Sequence, residues 1–326
     1  MTNVLITVDT ELSALLHQRG LSAHENLASS IWGKCATGAF GIGWQMHQLE
    51  THGLKGVFFV DPLPALLYGT EIIRDIIDPI IGRGHEVQLH IHTEWLDWVP
   101  HSPVGERRGR DLADFCLEDQ MTLLGIATDL IEQAGAPRPT AFRAGNYGAN
   151  DNSLRALAKL GLIWDSSVNA PFLGAACKIN APPDHIGPMR LHAIVEVPVA
   201  GIHDRHGSIR PAQICALSAR EMREALVHAA DQAHFAFLIV THSFEMLSRD
   251  RVRPNRIVMK RFEAMCQTIK ESPDLMAVGF GDLDPDTATL SKANQLRLGP
   301  NRLRTGLRLA EQALANLRYE RQLHPS

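Results

Sequence analysis

The stretch VLITVDTE at residues 4–11 decides the fold of this chain. Its first five residues are apolar or β-branched, which favours a short buried β-strand, and the strand ends in Asp9, with Glu11 two positions later. The same arrangement recurs along the chain, because other short apolar runs also end in ionisable side chains. These later runs end in His90 and His92, in Arg143, in Asp165 and in His242. In a fold built of repeated units, such side chains would occupy equivalent places.

Eight short apolar runs alternate with six longer helical patterns, which is typical of repeated βα units around a mainly parallel sheet. The predicted strands are residues 4–8, 56–60, 86–91, 140–142, 162–164, 194–199, 236–240 and 276–280. The predicted helices are residues 43–51, 71–82, 117–134, 152–160, 219–232 and 255–270. Seven or eight strands with intervening helices favour an α/β fold of the distorted (β/α) barrel type, although periodicity alone does not separate a barrel from an open sheet.

The composition narrows the class of protein. The net charge of −4 gives no reason to expect nucleic acid as a partner. The five cysteines are odd in number and form no CxxC pair, which fits a reducing compartment. The sequence shows no secretory signal and no apolar run of about 18 residues, so we expect a cytoplasmic protein without a transmembrane segment. It does not predict the oligomeric state.

The pattern becomes helical and basic near the end of the chain. We therefore predict a barrel over residues 1–285 and a C-terminal helical extension over residues 286–326. The arginines of this extension are Arg297, Arg302, Arg304, Arg308, Arg318 and Arg321. They form either a solvated helix face or a contact with a partner or an anionic surface.

The His-x-His of the third run is a candidate metal site. Residues two apart on an extended strand project to the same face, so His90 and His92 can point to one place. Two imidazoles and one carboxylate from the first strand would give a zinc-type cation three protein ligands and leave a position open for water. Metal-bound water is acidified enough to supply hydroxide near neutral pH. The alternative is a pair of histidines with ordinary hydrogen bonds at a strand end.

Each of the other strand ends allows two interpretations. Asp9 is either an Asx-turn residue or a general base beside the metal. Arg143 is either the cationic partner of Asp9 or part of a structural ion pair at the barrel rim. Asp165 either orients Arg143 or caps the segment that follows it. His242 is either a rim residue with its hydrogen bonds satisfied or a general acid for a leaving group.

These residues, in this order, resemble the motif set of the NodB-homology polysaccharide deacetylases, over residues 4–282. VLITVDTE is similar to the first motif of that family and GHEVQLHIHTEW to the second. FRAGNYG resembles the third motif, WDSSV the fourth and VTHSF the fifth. The resemblance implies a distorted β/α barrel that uses a divalent metal, usually zinc, to remove N- or O-acetyl groups from sugars.

The resemblance also implies roles for individual residues. The catalytic residues would be Asp9, Arg143, Asp165 and His242. Asp9 would be the base, Arg143 would steady it, and His242 would be the general acid. Asn146 and Tyr147 would belong to the loop that shapes the substrate pocket, where Tyr147 or its backbone neighbours would bond the oxyanion.

Two departures from the family pattern concern the metal ligands. Thr10 stands where the family has a second aspartate, so Glu11 is the carboxylate that we offer as a ligand. The second motif usually spaces its histidines four apart, and that spacing from His90 falls on Glu94, whereas His92 is two apart. The ligand set is therefore His90 with His92, with Glu94, or with both, and metal affinity could be altered or lost.

The resemblance thus predicts a hydrolase of non-peptide carbon–nitrogen or ester bonds that acts on an acetylated sugar or glycoconjugate. Two alternatives stay open. One is an amidohydrolase-type metal hydrolase of a small amide, a class that normally carries His-x-His at the end of its first strand. The other is a catalytically silent carbohydrate-binding homologue.

Two long connections, residues 12–40 and 93–115, follow strands that end in ionisable residues. Long loops in a compact domain are often functional, so we predict that they form the walls of a cleft. Four tryptophans lie in or near them: Trp32, Trp44, Trp95 and Trp98. Their rings, that of Trp95 in particular, either stack on a sugar or anchor the loops in the core.

Overall fold

A computed structural model describes residues 1–205, 207–289 and 295–319 of the chain. The strands are β1 (Thr2–Thr10), β2 (Lys34–Cys35), β3 (Gly38–Ala39), β4 (Val57–Val60), β5 (Glu86–Ile91), β6 (Ala141–Ala144), β7 (Trp164–Asp165), β8 (Met189–Leu191), β9 (Ile194–Glu196), β10 (Gly201–Arg205), β11 (Ser208–Pro211), β12 (Ala236–His242) and β13 (Leu275–Ala277). The α-helices are α1 (Ala14–Gln18), α2 (Ala23–Asn26), α3 (Ile42–Thr51), α4 (Ala65–Tyr68), α5 (Glu71–Gly82), α6 (Leu117–Gln133), α7 (Asp151–Lys159), α8 (Ala219–Asp231), α9 (Arg256–Glu271), α10 (Pro285–Thr289) and α11 (Arg302–Tyr319). Among these described helices, none has the length and apolar character needed to cross a membrane.

Nine strands form one sheet in the order β12–β1–β4–β5–β6–β7–β9–β8, with β13 paired to the first residues of β1. Neighbouring strands are parallel except for β8 and β9. The sheet curves into a half-barrel surrounded by helices, so the predicted distorted (β/α) barrel is confirmed. All eight predicted strands and all six predicted helices are present, with ends displaced by at most three residues. The hairpins β2–β3 and β10–β11 and the strand β8 were not predicted, because none of them has the apolar, β-branched run that marks the predicted strands.

Strand β1 shows how the alternation of side chains positions a site. Val4 and Ile6 belong to the apolar cluster formed with α8 and α9. Thr7 and Asp9 face the other side of the sheet, where both accept hydrogen bonds from the guanidinium of Arg143. Burial of an isoleucine side chain contributes about 2 kcal/mol. A register shift of one residue would therefore cost apolar burial and also turn Asp9 away from Arg143.

Helix α11 turns arginine side chains toward the barrel. The Arg308 guanidinium donates to the two carboxylate oxygens of Asp204 at 2.7 and 2.8 Å and to Glu221 at 3.0 Å. Arg304 pairs with Glu224 at 3.0 Å. Glu221 and Glu224 belong to α8, so these ion pairs attach α11 to the outside of the half-barrel. A buried guanidinium is stable in such a place only because it is paired and hydrogen-bonded.

The arginines of the predicted extension therefore divide into two groups. Arg297, like the two that form these ion pairs, is buried, so a solvated basic face does not describe this part of the chain. Arg302 and Arg318 are exposed. Arg321 lies outside the described residues. The division into residues 1–285 and 286–326 stays a prediction.

We expect Arg308→Met to lower the free energy of unfolding by about 3 kcal/mol, because it leaves the carboxylate of Glu221 buried without a guanidinium and leaves Asp204 with Arg210 alone. Urea unfolding followed by circular dichroism measures the change. Arg302→Met is the matched control on the exposed side of the same helix and should change stability by less than about 0.5 kcal/mol. Equal effects of the two substitutions would contradict the anchoring role of Arg308.

Candidate active site

Side chains from the ends of β1, β5 and β12 and from the loop after β6 line one cavity of about 290 Å³. The parallel register places Asp9 beside His242 and His90 beside Arg143, so the strands present their ends at one mouth. Such a mouth is where β/α folds carry their functional groups. The ionisable and hydroxyl side chains around the cavity include Asp9, Glu11, His90, His92, Tyr147 and His242. The structure therefore brings together most of the residues that the sequence singled out.

Glu11, His90 and His92 meet at one point of this cavity, and we call them the donor cluster. Oε2 of Glu11 lies 3.1 Å from Nε2 of His90 and 2.7 Å from Nε2 of His92. Nδ1 of His90 donates to the carbonyl oxygen of Arg143 at 2.7 Å, which turns its Nε2 toward Glu11. One ligand atom from each residue lies within 4.8 Å of the other two. The cluster therefore has the compactness that a shared cation requires.

The donor cluster fits a zinc-type divalent cation. Ligand atoms at about 2.0–2.2 Å from a tetrahedral zinc ion lie roughly 3.4 Å apart. The separations of 3.1 and 2.7 Å between Oε2 of Glu11 and the two imidazole nitrogens are within about 1 Å of that value. Burial alone would raise the pKa of Glu11, but the charge of His92 and hydrogen bonds from both imidazoles lower it well below its usual value. Burial alone would lower the pKa of His92, but Glu11 raises it well above its usual value. A cation would therefore meet an ionised carboxylate and would displace a proton from His92.

Glu94 lies behind the ring of His92 and outside the donor cluster. Its Oε2 is 3.6 Å from Nδ1 of His92, and its Oε1 is 3.8 Å from Nε of Arg110. A carboxylate on the far side of a ligating imidazole orients the ring and raises its basicity. Of the ligand sets that the sequence left open, the geometry favours His90 with His92.

Asp61 is a buried carboxyl beside the site that the sequence analysis missed. It follows β4 directly, and the backbone N–H of Leu63 donates to its Oδ1 at 3.0 Å, while Oδ2 has no hydrogen-bond partner among the described residues. Burial raises the pKa of Asp61 to about 6, although the charges of His92 and His90 oppose the rise. The signal was present, because Asp61 stands after a strand in the same way as Asp9.

Asp9 and Arg143 form a buried ion pair. Nη1 of Arg143 lies 2.5 Å from Oδ1 of Asp9, and Arg143 is fully buried. The same guanidinium donates to the carbonyl and hydroxyl oxygens of Ser166 at 3.2 and 3.1 Å and lies 4.3 Å from the centre of the Phe59 ring. Arg143 is thus the partner of Asp9, which offsets the cost of burying the Asp9 carboxylate.

Asp165 does not reach the cavity, which corrects its place among the expected catalytic residues. Its carboxylate accepts hydrogen bonds from the backbone N–H and hydroxyl of Ser167 at 3.1 and 2.8 Å. Burial raises the pKa of Asp165 and that of the neighbouring Glu196. Ser166, which precedes Ser167, is the residue that contacts Arg143. The contacts therefore favour the interpretation of Asp165 as a cap of the segment that follows it, because its side chain hydrogen-bonds to Ser167, two residues later.

His242 has a carboxylate on each side of its ring. Nδ1 lies 2.8 Å from Oε1 of Glu245, and Nε2 lies 3.9 Å from Oδ2 of Asp9. Burial by itself would lower the pKa of His242, but the hydrogen bond and charge of Glu245, with a contribution from Asp9, raise it to about 9. The imidazolium is therefore the main form at neutral pH. Glu245 was not predicted, and its signal is the spacing of three residues after His242 in HSFE.

The loop after β6 adopts an unusual backbone conformation at the cavity. Asn146 and Tyr147 have φ of 55° and 59°, a region that non-glycine residues rarely occupy. Gln213 donates to the hydroxyl of Tyr147 at 3.0 Å, and Asn146 donates to Asp111 at 3.2 Å. Burial raises the pKa of Tyr147, so its hydroxyl keeps its proton. Both predicted pocket residues line the cavity, and strain of this kind is typical of functional loops.

Trp95 lies in the core, which corrects its place among the expected substrate-binding residues. Its side chain is fully buried, and its ring packs against His17 and Trp98 with centroids 5.7 and 5.8 Å apart, and against Tyr68 at 6.0 Å. A ring with no exposed surface cannot stack on a sugar. In this structure Trp95 anchors its loop.

The fold is shared with two solved structures of proteins assigned as polysaccharide deacetylases. One is from Mycobacterium smegmatis; it is 16% identical with a TM-score of 0.55, over 91% of this chain and 94% of that chain. The other is from Pseudomonas aeruginosa PAO1; it is 14% identical with a TM-score of 0.51, over 86% of this chain and 89% of that chain. No protein-family model and no curated protein matches the chain. The resemblance of the motifs is therefore confirmed at the level of the fold.

Gly145 has no side chain, which leaves room for the ring of His92, so we expect Gly145→Ala to weaken metal binding. A Cβ at this position would lie 2.7 Å from the carbonyl oxygen of Ile91 and 2.8 Å from Cε1 and Nδ1 of His92, which would displace the ring. Equilibrium titration with zinc should show an affinity about 10- to 100-fold lower. Gly125→Ala is the control, because its Cβ would meet one atom at an ordinary 3.8 Å. Unchanged zinc affinity in Gly145→Ala would contradict the role of His92 as a ligand.

Proposed function

We propose that this protein is a metal-dependent hydrolase that removes an acyl group, most simply acetyl, from a carbohydrate or glycoconjugate. The observation that carries the proposal is the convergence of the donor cluster with the Asp9–Arg143 pair and with His242 in one cavity. Both proteins that share the fold are assigned as polysaccharide deacetylases, which supports a carbohydrate as the substrate. Because a fold by itself does not imply an activity, the proposal depends on the site.

Glu11, His90 and His92 would hold the cation, which we propose to be zinc because two imidazoles and one carboxylate suit that ion. When bound, a divalent cation supplies Lewis acidity that acidifies a water molecule and polarises the acyl carbonyl. Neighbouring groups hold the two imidazoles of the donor cluster in place before a cation binds. The carbonyl of Arg143 accepts from Nδ1 of His90, and Glu94 stands behind His92.

Asp9 is the group that accepts the proton of the attacking water in this proposal. Arg143 holds its Oδ1, and its Oδ2 is the oxygen turned toward His242. The ion pair keeps the carboxylate in one orientation, so Asp9 loses little conformational entropy when the water binds. A carboxylate held beside the donor cluster has the position that a general base needs.

His242 is the proton donor to the departing amine or alcohol. Glu245 bonds to Nδ1 and leaves the Nε2 proton toward the cavity. Tyr147 can stabilise negative charge on the acyl oxygen, because Gln213 donates to its hydroxyl and leaves the phenolic proton free to donate. Base, acid and oxyanion donor thus come from three different segments around one space.

The amidohydrolase alternative is disfavoured by the order of the strands. That class normally has His-x-His at the end of its first strand. Here β1 carries Asp9 and is followed by Glu11, and the two histidines stand at the end of β5, His90 within the strand and His92 just after it. The cytoplasmic location and the amide or ester nature of the bond stay predictions from the sequence.

Acetate release from a panel of acetylated sugars and glycoconjugates, with metal content measured on the same preparation, tests the proposed function. We expect about one zinc-type ion per chain. Turnover should disappear with a chelator and return with zinc. Protein that binds the sugars but holds no metal and releases no acetate would instead indicate a silent carbohydrate-binding homologue.

We expect Asp9→Asn to lower kcat by about 100-fold or more, because the amide cannot accept the proton of the attacking water. The thermal unfolding curve should show that the variant is folded. Asp97→Asn is the control, since Asp97 is an exposed carboxylate that pairs loosely with Arg108 at 3.6 Å. Near-normal turnover by Asp9→Asn would remove Asp9 from the mechanism.

The raised pKa of His242 predicts the alkaline side of the pH profile. A general acid must be protonated, so kcat should keep its value at neutral pH and fall as the pH rises through about 9. Glu245→Gln removes the negative charge that raises this pKa, so the falling limb should move to lower pH by about one unit. Profiles of kcat for both proteins measure the shift. An alkaline limb that stays in place would exclude His242 as the acid.

A further inference from the structure

Helix α11 turns charged residues toward the protein and apolar residues toward solvent, which is the reverse of an ordinary surface helix. A surface helix normally turns its apolar stripe to the core and its charged residues to water. The inner face of α11 carries Arg304 and Arg308, which are buried in ion pairs with α8 and with Asp204. A further pair joins Glu311 to Arg261 of α9 at 2.5 Å. These pairs fix the rotation of the helix about its axis, so its outer face is set by the fold.

The outer face of α11 is a stripe of exposed leucines. The exposed fractions are 66% for Leu303, 51% for Leu307, 42% for Leu309, 56% for Leu314 and 76% for Leu317. Four of these leucines and Ala310 follow one another at intervals of four, three, four and three residues. This spacing is the apolar seam of a coiled coil. We call the series Leu303, Leu307, Ala310, Leu314 and Leu317 the α11 seam.

We propose that the α11 seam is the interface between two copies of this chain, which pair helix against helix around a twofold axis. A twofold axis brings the same patch of each copy together, and a seam with heptad spacing is complementary to itself in that arrangement. Each leucine would enter a hole formed by side chains of the facing helix. The facing helix would then supply the apolar contacts that the described residues of one chain do not give these leucines.

The charges around the seam fit another helix better than a membrane surface. A helix that lies on a membrane carries Lys and Arg along the polar face beside its apolar stripe. In α11 two of the four arginines point inward, and the exposed ones, Arg302 and Arg318, stand at the two ends of the helix. The middle of the outer face, from Leu303 to Leu317, carries no exposed charge.

Gly306 supports a close approach of a second helix. A glycine inside a helix costs about 1 kcal/mol relative to alanine. No atom lies within 4 Å of the position that a Cβ of Gly306 would occupy, so packing within the described residues does not require glycine there. A cavity of about 480 Å³ beside Gly306, bounded also by Pro300, Thr305 and Leu309, offers room for a side chain of the partner helix.

The exposed area is of the size that a dimer needs. The four leucines of the seam expose roughly 450 Å² per chain, so pairing would bury about 900 Å², and contacts of the flanking residues would bring the total near the lower end of specific interfaces. Such an interface predicts a dimer of moderate affinity, which dilution can dissociate.

Sedimentation equilibrium of the full chain from about 1 to 100 µM tests the proposal. We expect the wild-type protein to approach twice its chain mass of 36.0 kDa at the higher concentrations. Leu307→Ala with Leu314→Ala keeps helix-forming residues but removes four leucine side chains per dimer, so the dimer Kd should rise by at least about 100-fold. Leu307→Glu with Leu314→Glu should give a monomer, with a circular dichroism melt to show that it is folded. Leu15→Glu is the matched control, with 53% exposure on α1, and should leave the dimer intact.

Two results would overturn the proposal. A wild-type protein that stays monomeric over the whole range has no such interface. A dimer that persists in both double variants pairs through another surface. Flotation with phosphatidylserine vesicles identifies a membrane as the occupant instead, if the wild-type monomer floats and the double variants do not.

Discussion

The guanidinium of Arg143 is the interaction on which the rest of the site depends. It is fully buried, and it is held by Asp9 of β1, by Ser166 after β7 and by the ring of Phe59 on β4. The carbonyl of the same residue accepts the hydrogen bond that orients His90 of β5. A buried cation is stable only with such partners. One residue therefore aligns the proposed base with the first proposed ligand, and the two roles cannot move apart independently.

The second constraint is that each ionised group at the mouth has its own counter-charge. Asp9 is paired with Arg143, and His242 is paired with Glu245, while the Asp9 and His242 side chains face each other across 3.9 Å. A carboxylate can accept a proton and an imidazolium can donate one at the same pH. The two facing groups can therefore supply the base and the acid that the proposed reaction requires. The donor cluster lies beside this pair in the same cavity. Proton transfer and cation binding are thus combined in a small volume.

Much of the architecture was predictable, because it depends on local patterns. The eight predicted strands and six predicted helices follow from short apolar runs and longer helical periods, and both survive in the structure. Asp9, His90 and His242 were predictable for the same reason, since each stands at the end of an apolar run and the ends of parallel strands meet at one edge. Asp61 obeys the same rule and was overlooked, whereas Glu245 has a weaker signal because it contacts His242 from one turn further along the chain.

The sequence by itself determined which side chains stand at the ends of the strands. The alternation of side chains and the length of a strand depend only on residues that are neighbours in the sequence. The tertiary structure alone decided between alternatives that differ by a distance between segments. It placed His92 rather than Glu94 against Glu11, turned Asp165 away from the cavity and buried Trp95. It also turned Arg304 and Arg308 of α11 inward and the leucines of that helix outward, because the acidic groups that pair with the two arginines come from β10 and α8, far away in the sequence. No local pattern contains those distances, since they depend on how the whole chain packs.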